Sequence, residues 1–324
     1  MRRLVGACLA LLLGACGGTP ARGPSSGARP AIEPHWQDAL DAHPKLLLTL
    51  RPKVLLNDAV YGPLLRRALD LARQRSHAVA STRLVEAVET SDEVIAGVLG
   101  DEGATPQPSA RTAPSEAEIV PSQTPIFAAL RGMPAELDPA KLVDAEGNLL
   151  WAPGPSGPVR ELVHEVDKDG TPNPASLFEL PGRTWVIVSA PARLRVREAL
   201  GHPTGQAPPA VDAEALATLQ IDGPALVARA RPLSVGALSV IGHELQSVVL
   251  VLLPGATREV RAVLEYKSAE TSRAAAQKLV QVRQVLSLGN SPTLAWLGRA
   301  AVEASQSAVV LKATVPPEIL DLIQ

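Results

Sequence analysis

Hydrophobic positions fall into short runs separated by turn residues, and only a few stretches carry a helical period. The apolar run Leu46–Leu50 is closed by Arg51-Pro52 and followed by a second, Val54–Leu56. Pro63 then opens a stretch in which Leu65, Ala68, Leu69 and Ala72 recur at i, i+3, i+4 and i+7, with Arg66, Arg67, Asp70 and Arg73 between them. One apolar stripe at that period predicts a helix lying on a sheet. Apolar, β-branched runs predict strands at Val94–Leu99, Ile126–Leu130, Val159–Val166 and Thr184–Ser189, with Pro181-Gly182 as the turn before the last.

The C-terminal part repeats these materials. Leu216–Ile221 and Ala225–Ala230 read as strands, and Ser247–Leu253 and Arg258–Tyr266 as a hairpin around Pro254-Gly255. In its second arm Val260, Ala262, Leu264 and Tyr266 alternate with Arg261, Val263, Glu265 and Lys267, the period of a strand with one buried face. Ser268 caps a predicted helix whose stripe is Ala275, Leu279, Val282 and Leu286. A short helix around Trp296, a strand at Ala308–Val315 and a helical turn opened by Pro317 complete the pattern.

Strands and helices succeed one another irregularly, which predicts an α+β fold with mostly antiparallel sheets rather than a doubly wound one. Gly/Pro/Ser-rich stretches divide the chain into a half at 35–200 containing a disordered loop at 101–124, a linker at 201–212, and a second half at 213–324. The halves share features. Trp185 to Ser189-Ala190 enters a helix carrying Arg193, as Leu264 to Ser268-Ala269 enters one carrying Arg273, and Leu48-Thr49-Leu50 opens one half as Ala217-Thr218-Leu219 opens the other. Two similar halves are expected; chance recurrence of strand, serine and helix is the alternative.

The N-terminus carries an address. Arg2 and Arg3 precede the apolar run Leu4–Leu13, which is too short to span a bilayer and has the layout of an export signal at 1–15. Its end, Leu13-Gly14-Ala15-Cys16, resembles the lipobox of bacterial lipoproteins. That resemblance implies cleavage before Cys16, a diacylglycerol on its sulfur and a further acyl chain on its amino group. Gly17 rather than aspartate at the next position implies sorting to the outer membrane. Val5-Gly6-Ala7-Cys8 fits the same short pattern but leaves only Arg2, Arg3 and Leu4 as charged and apolar lead, so Cys16 is the lipidation site. Residues 16–34 are rich in Gly, Pro and Ser and read as a flexible tether beyond the lipidated cysteine. With Cys8 removed, Cys16 is the one thiol of the mature chain, so an intramolecular disulfide is excluded.

Composition narrows the function. Lys and Arg total 31 against 33 Asp and Glu, giving no electrostatic pull toward nucleic acid, and aromatic residues are only 2%, too few for base-stacking platforms. No serine has the flanking glycines of a nucleophile elbow, and no phosphate-binding or dinucleotide glycine loop occurs, so no cofactor is expected. His243-Glu244 begins a zinc-protease pattern, but Ser247 stands where the second histidine belongs, and the segment reads as a polar turn. Glu165, Asp167, Asp169 and Gly170 approach a calcium loop, yet Ser176 replaces the closing glutamate, and an Asp-Gly turn is the better reading. His35, Asp38, Asp41 and His43 are spaced poorly for a shared metal, so no metal centre is expected. Arg66, Arg67, Arg73 and Arg75 read as a solvated helix face that would also suit phosphate. His77, His164 and His202 have no companions that make a dyad. The expected function is a membrane-anchored envelope lipoprotein acting as a non-catalytic interaction or structural module, held by its acyl chains and engaging an envelope protein. The alternatives are a periplasm-facing carrier of a lipid or other apolar ligand, which requires a continuous apolar cavity, and a hydrolase gathering His164 or His243 with carboxylates.

Overall fold

The first strand of the chain finds its partner some 170 residues later. In the computed structural model, which describes residues 33–40, 44–75, 79–100, 124–143, 147–157, 159–166, 172–204, 214–230, 240–255, 258–288 and 295–317, β1 (Leu46–Leu50) runs antiparallel to β8 (Ala217–Asp222). Leu46 lies opposite Ile221, Leu48 opposite Leu219 and Thr49 opposite Thr218. Contacts therefore divide the chain into one unit of residues 44–70 with 209–324 and another of 3–43 with 71–208. A linear division at 201–212 puts Leu46–Leu50 in the N-terminal half; the β1–β8 ladder assigns it to the unit formed by the C-terminal residues. The signal segment, the tether up to residue 32, most of the loop 101–124 and most of the linker 201–212 lie outside the described residues.

In the first unit the strand order is β11-β12-β10-β9-β8-β1, with β9 at Leu245–Leu252, β10 at Glu259–Tyr266, β11 at Ala301–Ser305 and β12 at Ala308–Thr314. All pairings among these strands are antiparallel. One face carries the core. Val248, Leu264, Tyr266 and Val309 pack there with Ala275, Ala276 and Leu279 of α6 (Ala269–Leu288) and with Leu226 and Val227 of α5 (Gly223–Ala230). Of the stripe expected on α6, Ala275 is buried and Leu279, Val282 and Leu286 are half-buried, and Ser268 Oγ accepts from Thr271 N at 3.2 Å, capping the helix as anticipated. A second cluster joins Leu55 of α1 (Pro52–Asn57), Tyr61, Leu216 and Val315. The chain enters α2 (Gly62–Arg75) through Asp58, whose carboxylate accepts from Val60 N, Tyr61 N and Gly255 N at 2.9, 2.9 and 2.7 Å. Burial would raise its pKa, but these three backbone donors outweigh it and hold the carboxyl below its ordinary value. Gly255 must be glycine at this approach, since a Cβ there would lie 2.3 Å from Asp58 Oδ1.

Ala225–Ala230, expected as a strand, is helix α5. Its apolar run is too short to distinguish the two periods, and the local chemistry favours a helix. Asp222 accepts from Ala225 N at 2.8 Å, and Pro224 sits in the first turn, where no N–H is needed. A Cβ at Gly223 would lie 2.3 Å from the Leu245 carbonyl oxygen, so only glycine lets the helix start this close to β9.

The second unit has the order β2-β3-β7-β6-β5-β4, again all antiparallel: β2 is Glu93–Val98, β3 Ile126–Arg131, β4 Ala152–Pro153, β5 Arg160–Val166, β6 Pro172–Leu180 and β7 Thr184–Ser189. Strand β6 escapes the sequence pattern because prolines and Ser176 interrupt its apolar run, although Leu177 and Phe178 are fully buried. Also buried in this unit are Phe127, Leu130 and Val186 of the strands, Val85, Ala87 and Val88 of α3 (Val79–Thr90), and Ala192, Val196 and Leu200 of α4 (Ala190–Gly201). Ser189 does not cap α4. Its hydroxyl instead accepts from Ile126 N at 2.7 Å and donates to Thr124 O at 3.1 Å, tying the end of β7 to the start of β3. The apparent equivalence of Ser189 and Ser268 is thus one of sequence and not of role.

The chain's two tyrosines, Tyr61 and Tyr266, both belong to the first unit. Burial raises both phenols above the usual 10, Tyr266 to about 12 while its hydroxyl donates to Ile241 O at 3.0 Å. A phenol that keeps its proton longer in the folded state stabilises that state below pH 10 and ceases to do so as pH rises through its folded value. An alkaline titration followed by tyrosinate absorbance should therefore show less than half ionisation of native protein at pH 10, and about half there in denaturant. Half-ionisation of native protein at pH 10 would contradict the packing described.

Candidate functional site

The densest polar chemistry among the described residues is a buried carboxylate cluster in the second unit. Glu161 projects from β5 and is 4% exposed, Ser176 comes from β6, and Arg193 and Arg197 come from successive turns of α4. Ser176 Oγ donates to Glu161 Oε1 at 2.7 Å, Arg193 Nε to the same oxygen at 3.2 Å, and Arg197 to both oxygens at 2.7 and 2.8 Å. Desolvation would raise the carboxyl, but the Arg197 and Ser176 hydrogen bonds, the Arg197 charge and the Arg193 contact hold it below its usual value. The carboxylate thus meets four donors, and the cluster acts as a polar cross-tie from helix to sheet. Arg193 lies on the buried face of α4 with Val196 and Leu200, whereas Arg273, its counterpart in the sequence comparison, is exposed. Two arginines four apart on an apolar stripe were the available signal, since a helix can bury them only against a carboxylate.

Beside the cluster lies a cavity of about 350 Å³, bordered by Trp151, Gly154, Gly157, Arg160, Glu161 and Leu162. A second, open depression of about 460 Å³ in the first unit is lined by Lys53, Val54, Asn57, Asp58, Leu216 and Pro254. Both mix polar and apolar walls, and neither is the enclosed aliphatic chamber that the carrier reading requires.

The sequence-derived candidates disperse. His164 Nδ1 lies 3.0 Å from Leu150 O and its ring meets Trp151 edge-on at 6.0 Å. His243 is exposed in the turn before β9, where Glu244 adopts a left-handed φ of 53°, as a polar turn requires. Asp38 is committed: Oδ2 accepts from His35 N at 2.8 Å, and Oδ1 accepts from Thr204 N and Oγ1 at 2.8 and 2.9 Å. Arg66 and Arg67 are exposed on α2, while Arg73 pairs with Glu89 of α3. Ser176, the twelfth position of the calcium-like loop, is fully buried against Glu161. Leu13, Gly14, Ala15, Cys16, Asp41, His43, His77, Asp167, Asp169 and Gly170 lie outside the described residues, as do the side chains of Arg75 and Glu165. Among the described residues, no group of three or more His, Cys, Asp or Glu is arranged to hold a metal.

Glu161→Gln removes the charge that offsets two guanidiniums, and breaking such a pair costs about 3–5 kcal/mol. The variant should unfold at lower urea with an unchanged slope. Because the folded carboxyl is depressed, its contribution is complete above the unfolded value of 4.5 and is lost as pH falls through the folded value. The gap between wild type and variant should therefore narrow on acidification below 4.5; a gap independent of pH would rule out the ionised cluster.

No family model matches the chain, and no curated protein matches it. Among solved structures it is similar to crystal form I of TP0453, at 10% identity and a TM-score of 0.48, over 91% of this chain and 97% of that one.

Proposed function

We propose that this chain is a lipid-anchored lipoprotein of the bacterial envelope, acylated on Cys16, held on the outer membrane and acting without catalysis as an interaction or structural module. The observation that carries this reading is how the chain is seated directly after the Gly/Pro/Ser-rich segment. Trp36 is 6% exposed and lies 6.4 Å from the fully buried ring of Phe127, on a 3-10 turn at Trp36–Ala39. Asp38 clasps Thr204 through two hydrogen bonds, just beyond the end of α4. A tether that ends in a buried indole and a carboxylate clasp passes load into the folded unit; one that ended in a frayed turn would not. The Glu161 cluster supports a structural role, because its buried carboxylate is held by four donors from a strand and a helix. Among the described residues no helix is long and apolar enough to cross a membrane, so attachment in this reading rests on the acyl chains, which at about 0.8 kcal/mol per buried CH₂ suffice when two or three are present.

We further infer that the body arose by duplication. In each half a strand, then helix, then two strands follow in order: β1, α1 to α3, β2, β3 and β8, α5, β9, β10. The third strand of each set pairs with the last strand of its half, β3 with β7 and β10 with β12, and that last strand pairs with the one before it. Thr49 and Thr218, matched in the sequence comparison, lie opposite each other. This correspondence sets β10 against β3, so the similarity between the Trp185 and Leu264 segments, which sets β10 against β7, belongs to a different alignment.

Palmitate labelling and membrane fractionation of cells producing wild type or Cys16→Ser test the anchor. Wild type should be labelled and sediment with the outer membrane, and the variant should be unlabelled and released. Crosslinking and affinity purification from the same cells should recover an envelope protein with wild type; stoichiometric lipid in place of a protein would favour a carrier, and an unlabelled wild type would end the lipoprotein reading.

A further inference from the structure

Residues 33–40 belong to the second unit without joining its sheet. Among the described residues, the backbone hydrogen bonds of this segment close within it: Asp38 N donates to His35 O and Leu40 N to Gln37 O, each at 3.0 Å. The floor beneath is fixed differently. Phe127 is paired on both sides, opposite Gly97 of β2 and Val188 of β7, so the place that receives Trp36 keeps its shape when the segment leaves. What holds the segment is the burial of Trp36 and Ala39, at 6% and 4% exposure, together with the Asp38 clasp on Thr204. Each hold has a weakness. Trp36 Nε1 is buried with no hydrogen-bond partner among the described residues, so seating the indole gives up the bond that its N–H makes with water. Thr204 is exposed, where water competes for both of its donors.

We propose that residues 33–40 are a releasable strap, which holds the tether against the second unit at rest and peels away as one piece before either unit unfolds. Its consequence rests on the lipoprotein reading. The next described hold on the chain is Lys45, whose carbonyl accepts from Asp222 N at 3.0 Å just ahead of the β1–β8 ladder in the first unit. Release therefore adds residues 33–44 to the tether, roughly 40 Å at full extension, and moves the load from the second unit to that ladder. A peeled strap leaves Trp36, Ala39 and the ring of Phe127 facing water, and this apolar surface drives the strap back into place when tension ends. The anchor thus has a short length at rest and a longer one under load.

Hydrogen exchange of the full chain with Cys8 and Cys16 replaced by serine, at rising urea below the unfolding transition, tests the release. The amides of His35, Asp38 and Leu40 should be protected, yet should exchange about a hundredfold faster than those of β3 and with little dependence on urea, as a local opening does. Asp38→Ala removes a charged acceptor and should speed these amides about tenfold. The same sample should show β3 unchanged, which establishes that the variant folds. Thr204→Val, which removes the hydroxyl donor alone, should speed them less. Pulling between Cys16 and Ser156→Cys, at an exposed position of the second unit and with Cys8 replaced by serine, should give one short reversible step ahead of unfolding, at lower force in Asp38→Ala.

A strap unprotected in wild type, a strap that exchanges only together with β3 and at its urea slope, an Asp38→Ala variant whose strap is unchanged, or a pull without a step before unfolding overturns the proposal. None of these outcomes depends on acylation of Cys16, which palmitate labelling reads separately.

Discussion

The pairing of β1 with β8 is the constraint on which the first unit depends. Five residues near the start of the fold, Leu46–Leu50, pair with β8, in a unit whose other strands all lie beyond residue 216. Without it, β8 would keep an open row of backbone donors and acceptors, and Asp58, Tyr61 and Leu55 would have no route to Gly255, Leu216 and Val315. One ladder therefore fixes the position of α1 and the entry to α2, and makes the unit discontinuous in sequence. The second unit has a different kind of tie: Ser189 joins β7 to β3, and Glu161 joins β5 to α4 through a charge network in place of a backbone ladder.

Elements whose partners are local were legible in the sequence. Thr184–Ser189 has the bounds expected of it, and Arg258–Tyr266 differs from its strand by one residue, because alternation and a flanking proline-glycine turn encode a strand without reference to distant residues. The helix at Ala269–Leu288 shows its cap and stripe openly for the same reason. What sequence conceals is chosen by tertiary contact. Gly223 and Pro224 turn an apolar run into α5 because β9 passes close behind, and β6 is strand because both neighbours offer ladders to a proline-broken segment. The division into halves failed at β1 because a linear reading places a boundary at a composition change, whereas the chain places it where pairing ends.

The Glu161 cluster shows how a site search by catalytic template misses its object. Glutamate, serine and two arginines at these positions match no spacing rule, since they come from two strands and a helix and meet only after folding. The described histidines, which attract attention in sequence, are scattered: His35 precedes a 3-10 turn, His164 lies in β5, His202 follows α4 and His243 sits in the turn before β9. A buried arginine on an amphipathic helix is the sharper clue, because its charge demands a partner whatever the fold.

The outer strands of the two units are ended in different ways. β4 is two residues long, with Pro153 in it and Pro155 just after, and β11 is exposed, with Glu303 at its centre engaged by Lys312 of β12. A proline cannot donate to an incoming strand, and a second β11 laid antiparallel and centred on Glu303 would set two glutamates side by side. An incoming strand is thereby denied a clean ladder at β4 and at β11, which averts the hazard that an exposed edge imposes on any antiparallel sheet.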